Sequence, residues 1–289
     1  MYMQPFMLKG DGHEYHGYCG GDSNKPLMVL HHGMTADALA YSSLLEELKE
    51  QFHFILLDSP GHGRTPPYLN EEKYHFTELS KNIFRIIAKL SKSTFILVGH
   101  SWGGDLCLHI AKNFQERVLG VVLLDGGYVF PDYASLTKHQ SLNAWKEYLK
   151  NNIYDNWNEV ISVYQDYTTK KWDEALNATI ASSFKYQQGK FMLISEEFTL
   201  LSIIKAFYFE LCSSVHRFVQ CPVLLIHATI PFIDTSREDA IENIKKSITN
   251  LSVLSISNTK HNPNWNHPEL VAEEIFKWIR TVVFTDAND

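Results

Sequence analysis

The chain has 289 residues, 45% of them hydrophobic and 20% charged, proportions of an ordinary globular protein able to bury a sizeable core. Its formal charge of −7 leaves no excess of Lys or Arg to neutralise phosphates, which argues against nucleic acid as a partner. No apolar stretch is long enough to span a bilayer, and residues 1–10 lack the basic segment and apolar run of a secretory leader. Cys19, Cys107, Cys212 and Cys221 are scattered, without the close pairing of a metal site or disulfide framework, so a reduced, cytoplasmic setting is expected. Cys107 and Cys221 lie inside apolar patterns and read as small core residues.

In chain order, Pro26-Leu27-Met28-Val29-Leu30 is a buried strand, followed by a polar turn and a helix over 41–51. Residues 52–57 form a second apolar run, ended by Asp58-Ser59-Pro60-Gly61-His62-Gly63. A helix is predicted over 78–90, with Ile83, Ile86, Ile87 and Leu90 on one face. Further strands are predicted at 95–98, 118–124, 223–226 and 251–256. Near-continuous apolar strands separated by helices indicate an α/β protein: a mostly parallel, doubly wound sheet covered on both faces. Right-handed crossovers then gather the functional loops at the carboxyl ends of the strands.

Between residues 129 and 216 this alternation stops. No strand is predicted there, only helical stretches carrying Trp145, Tyr148, Tyr154, Trp157, Tyr164, Trp172, Phe184, Phe207 and other aromatics. The segment reads as a helical lid (cap) inserted into a core of residues 1–128 and 217–289. A small domain unrelated to the site is the alternative.

Gly99-His100-Ser101-Trp102-Gly103 fits G-x-S-x-G. The strand at 95–98 runs into it, and a helical pattern with Asp105 in its first turn and Leu106 and Ile110 on its face follows. Ser101 then sits on a sharp strand-to-helix turn, where bulky neighbours would clash, hence a glycine on both sides. The backbone N–H groups and positive dipole end of the helix face the reacting oxygen. A glycine-flanked serine in an ordinary strand-to-helix turn is the bland alternative.

On these residues the chain resembles the α/β-hydrolase superfamily over nearly its whole length, as a lid-containing serine hydrolase of esterase or lactonase type. His32-Gly33-Met34 matches the family's H-G-x oxyanion segment, and residues 58–65 look like its D-x-x-G-x-G-x-S turn with Thr65 in the last place. The resemblance implies that the backbone N–H groups of Met34 and Trp102 hold the oxyanion, donors that typically contribute a factor of about 100 to 1,000 in rate. The 58–65 turn is expected to shape the backbone and carry no chemistry. No cofactor is implied.

Serine needs a neutral imidazole to take its proton. In the family the base lies between the last strand and the last helix, here between residues 251–257 and the apolar face of Leu270, Val271, Ile275 and Trp278. His261 and His267 lie in that loop. Pro268 at a first helical position makes His267 a helix opener, which leaves His261 as the expected base. His100 is expected to point away from the catalytic face, and His32 to brace the oxyanion loop. His32, Tyr128 and Trp265 are also expected around the substrate pocket.

A carboxylate must orient the imidazole and stabilise its charged form. Most of the family supplies it after the strand here at 223–226, in a stretch like H-G-x-x-D. This chain has His227-Ala228-Thr229-Ile230-Pro231, with proline where the aspartate would stand. Asp234 and Asp239 follow, while the preceding strand ends Val122-Leu123-Leu124-Asp125-Gly126-Gly127. An aspartate abutting an apolar run needs a partner, so Asp125 is the first choice and Asp234 the alternative. Asp125 merely capping the next turn is the bland option.

The expected chemistry is hydrolysis of a carboxylic ester, lactone or related acyl substrate through an acyl-enzyme, in a largely apolar pocket for a small molecule. Carbon–carbon bond hydrolysis by the same fold and a non-catalytic ligand-binding receptor are the alternatives. Haloalkane dehalogenases and epoxide hydrolases of this fold use an aspartate nucleophile, which Ser101 argues against.

Overall fold

The computed structural model describes residues 3–133, 135–231 and 235–284. Its strands, in chain order, are β1 (Met3–Gly10), β2 (His13–Gly20), β3 (Leu27–His31), β4 (His53–Leu57), β5 (Phe95–His100), β6 (Val118–Leu124), β7 (Ile153–Tyr154), β8 (Phe184–Gln187), β9 (Lys190–Leu193), β10 (Val223–His227) and β11 (Leu251–Ser255). Eight of them form one sheet in the order β1-β2-β4-β3-β5-β6-β10-β11. The six strands from β4 to β11 pair in parallel, and the β1–β2 hairpin adds antiparallel to β4.

The helices are α1 (Ser42–Leu48), α2 (Phe76–Leu90), α3 (Trp102–Asn113), α4 (Lys138–Asn151), α5 (Trp157–Tyr164), α6 (Glu174–Ala181), α7 (Glu197–Phe209), α8 (Ser213–His216), α9 (Thr235–Ser247), α10 (Pro263–Asn266) and α11 (Pro268–Trp278). Side chains alternate across a strand, and both faces of this sheet are apolar. Val29, Ile55, Leu97, Val121 and Leu123 pack on one face with Ile83, Ile87 and Ile110 of α2 and α3. Met28, Leu30, Leu56, Val98, Val122 and Ile226 pack on the other with Leu44, Leu48, Val271 and Ile275 of α1 and α11. Strand order reverses around β3 and β5, since β4 lies to one side of β3 and β5 to the other. A crevice opens at such a switch point, beyond the carboxyl ends of the strands.

Three expectations need correction. The β1–β2 hairpin was not predicted, because its half-exposed residues form no apolar run. The helix over 41–51 is shorter, with a 3-10 turn at Ala38–Tyr41 ahead of α1. Segment 129–216 is not purely helical: β7, β9 and β8 form a three-stranded antiparallel sheet. That segment carries its own apolar cluster of Tyr154, Val160, Tyr164, Leu176, Ile180, Phe184 and Leu193. Ile203, Ile204 and Phe207 of α7, by contrast, join the apolar cluster that α2 and α3 form with the main sheet. Among the described residues no helix is long and apolar enough to cross a membrane.

Candidate active site

Ser101 follows β5 and caps α3 with φ +52° and ψ −124°, a left-handed backbone that a non-glycine residue adopts only when its surroundings impose it. The turn requires close approach on its inner side. A Cβ on Gly103 would lie 2.2 Å from the His31 carbonyl oxygen, so only glycine lets α3 start there. The strain fixes Ser101 Oγ at the helix N-terminus, where its hydroxyl donates to Nε2 of His261 across 2.9 Å.

His261 stands between β11 and α10, and its Nδ1–H donates to Oδ2 of Asp125 across 2.7 Å. Asp125 follows β6 with φ +46°, which swings its carboxylate out of the sheet. It does not cap a turn. Its Oδ1 accepts from the Tyr128 hydroxyl at 2.8 Å and from the Ala228 N–H at 2.9 Å, with the Arg237 guanidinium at 3.7 Å. Burial alone would raise this carboxyl's pKa, but the His261 hydrogen bond and charge, with Arg237 and Ala228, outweigh it and hold it below the usual carboxylate range. The structure thus brings Ser101, His261 and Asp125 into one hydrogen-bonded line. Asp234 lies outside the described residues.

Met34 and Trp102 line the same cavity as Ser101. Among the described residues the backbone N–H of neither is taken by a backbone acceptor, so both remain available to a ligand oxygen. His32 is 1% exposed and does not line the cavities at Ser101, a correction to its expected place at the pocket. Its ring is engaged on both sides: Nε2 accepts from the Ser59 N–H at 3.0 Å and Nδ1–H donates to the Gly33 carbonyl at 2.8 Å. Burial lowers its pKa, consistent with that neutral form. Asp58, in the turn after β4, accepts from the Ala38 and Arg64 N–H groups and so ties that turn to the loop after β3.

Ser101 sits where two chambers meet. One, of about 260 Å³, is lined by Tyr128, Val129, Phe130, Ile204, Phe207 and Asp105 among others. The other, of about 210 Å³, is lined by Tyr148, Tyr164, Tyr167, Ile180 and Trp265 among others. Met34, Trp145, Ser101 and His261 border both. Part of each wall comes from segment 129–216, which is fastened to the core by Thr169 on Asn258 and Asn266 and by Ser182 on Asp37.

His267 opens α11, as its position before Pro268 predicts. His100 does not point away from the site. It lines the second chamber, and its ring lies 5.0 Å from that of His261. Arg237 and Asp105 escaped sequence reasoning. Arg237 is one of many charged residues on a polar helix pattern, whereas Asp105 carried a signal: a carboxylate four residues after the serine, on a helix otherwise apolar there.

A family model described as the alpha/beta hydrolase fold matches residues 26–268. The chain is 30% identical to human epoxide hydrolase 4 over 44% of its own length and 35% of that protein. It spans about a third to a half of the first curated relatives it matches. It is 22% identical to the pimeloyl-[acyl-carrier protein] methyl ester esterase of Wigglesworthia glossinidia brevipalpis, over 88% of this chain and 93% of that one. Among solved structures, E-2-(acetamidomethylene)succinate hydrolase superposes with a TM-score of 0.79 at 18% identity, covering 97% of this chain and 100% of that one.

Proposed function

We propose that this chain, which belongs to the α/β-hydrolase family, is a serine hydrolase that cleaves a carboxylic ester, lactone or related acyl bond through an acyl-enzyme. The observation that carries this is the continuous relay from Ser101 Oγ through His261 to Asp125, with steps of 2.9 and 2.7 Å. His261 takes the Ser101 proton as Oγ attacks the carbonyl carbon, and Asp125 holds the ring's tautomer and stabilises the imidazolium. The Met34 and Trp102 N–H groups receive the developing oxyanion. On collapse His261 returns the proton to the leaving group, and a water activated by the same ring releases the acid.

Two chambers meeting at the nucleophile suit a substrate with an arm on each side of the scissile bond. Segment 129–216 acts as the lid that walls both arms off from water. The match to a methyl ester esterase over most of both chains favours an ester over an amide.

Fluorophosphonate labelling followed by peptide mapping tests the nucleophile. Ser101 is expected to be modified, and Ser101→Ala to lose both labelling and ester turnover by a factor of about 10⁴ or more. Folded protein that takes up no probe at Ser101 would refute the enzyme reading in favour of a binding protein. A turnover panel of esters, lactones, amides and vinylogous diketones separates acyl from carbon–carbon hydrolysis: cleavage of the diketones alone would sink the ester assignment.

A further inference from the structure

Four residues border both chambers: Met34, Ser101, His261 and Trp145. The first three belong to the core and carry the proposed chemistry. Trp145 alone of the four comes from segment 129–216, so it is that segment's contribution to the junction where the chambers meet.

Its place is fixed by the helix that bears it. Ser141, Trp145, Tyr148 and Asn152 follow one another at helical spacing, a single stripe along α4 and its C-cap. Ser141 Oγ hydrogen-bonds the Tyr208 hydroxyl of α7 at 2.8 Å, and Asn152 Oδ1 accepts from the Tyr154 hydroxyl at 2.9 Å. Both of these residues are buried, so the stripe faces inward at each end. Between them the half-buried Trp145 ring stands edge-on to Tyr148, which lines the second chamber, with centroids 5.1 Å apart. It also packs against the apolar cluster that includes Ile204 and Phe207, which line the first. An indole held in this way is a large, rigid obstacle between the two spaces.

The scissile carbon must come within about 3.5 Å of Ser101 Oγ to react, which puts it at the junction. The carbons on either side of the ester group then lead away into the chambers. A single chain fits each exit. Further substituents on those two carbons stay at the junction, crowded among the indole, Ser101 and His261, and packed protein interiors accommodate such excess volume poorly.

We propose that Trp145 is a specificity residue of the Ser101 site, a partition that restricts its substrates to esters unbranched at the carbons flanking the ester group. The inference rests on the Ser101-centred reading above, since it concerns the two arms of the same substrate.

The test compares isomers, which differ in shape but not in composition, and reads binding. Methyl hexanoate and methyl 2,2-dimethylbutanoate probe the acyl side, and butyl and tert-butyl acetate the alcohol side. All four are titrated into the Ser101→Ala protein by ligand-observed NMR. Each linear ester is expected to bind about tenfold more tightly than its branched isomer, the penalty of overpacking. Adding Trp145→Ala should bring each pair within about twofold, whereas Trp145→Phe should keep most of the preference. A purely structural role would weaken both isomers alike and leave their ratio unmoved. Equal binding within the pairs before Trp145 is changed, or an undiminished preference in Trp145→Ala, overturns the proposal. If Trp145→Ala fails to fold, Trp145→Leu, which keeps an apolar side chain on α4, decides the question by narrowing the preference or leaving it intact. A Trp145-dependent preference in a protein that hydrolyses no ester with Ser101 in place would refute the acyl-enzyme reading alone.

Discussion

The ring of His100 donates from Nε2 to the main-chain carbonyl of His261 across 2.7 Å. The residue before Ser101 thus holds the backbone of His261. Burial and the adjacent His261 lower the His100 pKa to about 3, so the ring is a neutral donor throughout the working range. His100→Phe keeps the ring volume but orphans the carbonyl, and is expected to lower kcat roughly tenfold with the pH profile unmoved. Steady-state rates from pH 5 to 9 check this; full activity in the variant would show that the contact does not position His261.

Asp125 and Asp234 make opposite forecasts. Asp125 accepts from His261 at 2.7 Å, so Asp125→Asn should favour the wrong imidazole tautomer and lower kcat by a factor on the order of 10⁴. Asp234→Asn should leave kcat within about twofold. Kinetics of the two variants on one ester decide it, and a larger loss in Asp234→Asn would move the acid to the loop after β10.

Tyr128 is more than a pocket wall, because its hydroxyl donates to Oδ1 of Asp125 at 2.8 Å. Burial and the neighbouring carboxylate raise its pKa, so it stays protonated and donating. In Tyr128→Phe the Ala228 N–H and Arg237 still face that oxygen, and the expected loss is modest: kcat down about tenfold, KM little changed. A KM effect with unchanged kcat would assign Tyr128 to substrate contact instead.

The part of this site that could be read in sequence is the part carried by continuous apolar runs. β3, β5 and β6 are almost wholly buried, and Met34, Ser101 and Asp125 each follow one of them closely; β11, ahead of His261, is only half-buried. The β1–β2 hairpin escaped because its residues are half-exposed and Gly17 sits mid-strand, a residue that weakens strand patterns. Gly17 is there for a tertiary reason: a Cβ would lie 2.1 Å from the Leu56 carbonyl oxygen. β7 has two residues, too few for any periodicity. The first chamber is walled by residues of α4 and α7 and of the loops after β5 and β6, so Asp105 and Arg237 became visible as site residues only in three dimensions.

Gly126 is where the loop after β6 meets the Ser101 turn. A Cβ there would stand 2.1 Å from the Ser101 carbonyl oxygen and 2.7 Å from its Cα, with no flexible side chain to yield. Gly126→Ala should therefore push the Ser101 turn away from Asp125 and remove most activity, with a melting temperature lower by several degrees. Activity and thermal melts measured together test this, and a variant that retains wild-type kcat would show that the two loops can separate without harm.

Asp37 links pH to the hold between segment 129–216 and the core. It is 4% exposed, caps the turn after β3 through the Leu39 N–H at 2.9 Å, and accepts from Ser182 of segment 129–216 at 3.0 Å. Burial, and then the nearby Asp58 carboxylate, push its pKa from 3.8 up to about 7. The folded state therefore holds this proton more tightly than the unfolded chain. The resulting stability is complete below about pH 4, declines as pH rises toward 7 and is absent above it, by an amount on the order of a few kcal/mol. Asn caps and accepts equally well without ionising. Asp37→Asn is thus expected to melt several degrees higher than wild type at pH 8 and at nearly the same temperature at pH 4. Equal melting temperatures at pH 8 would show that the Asp37 carboxylate is accommodated at no cost.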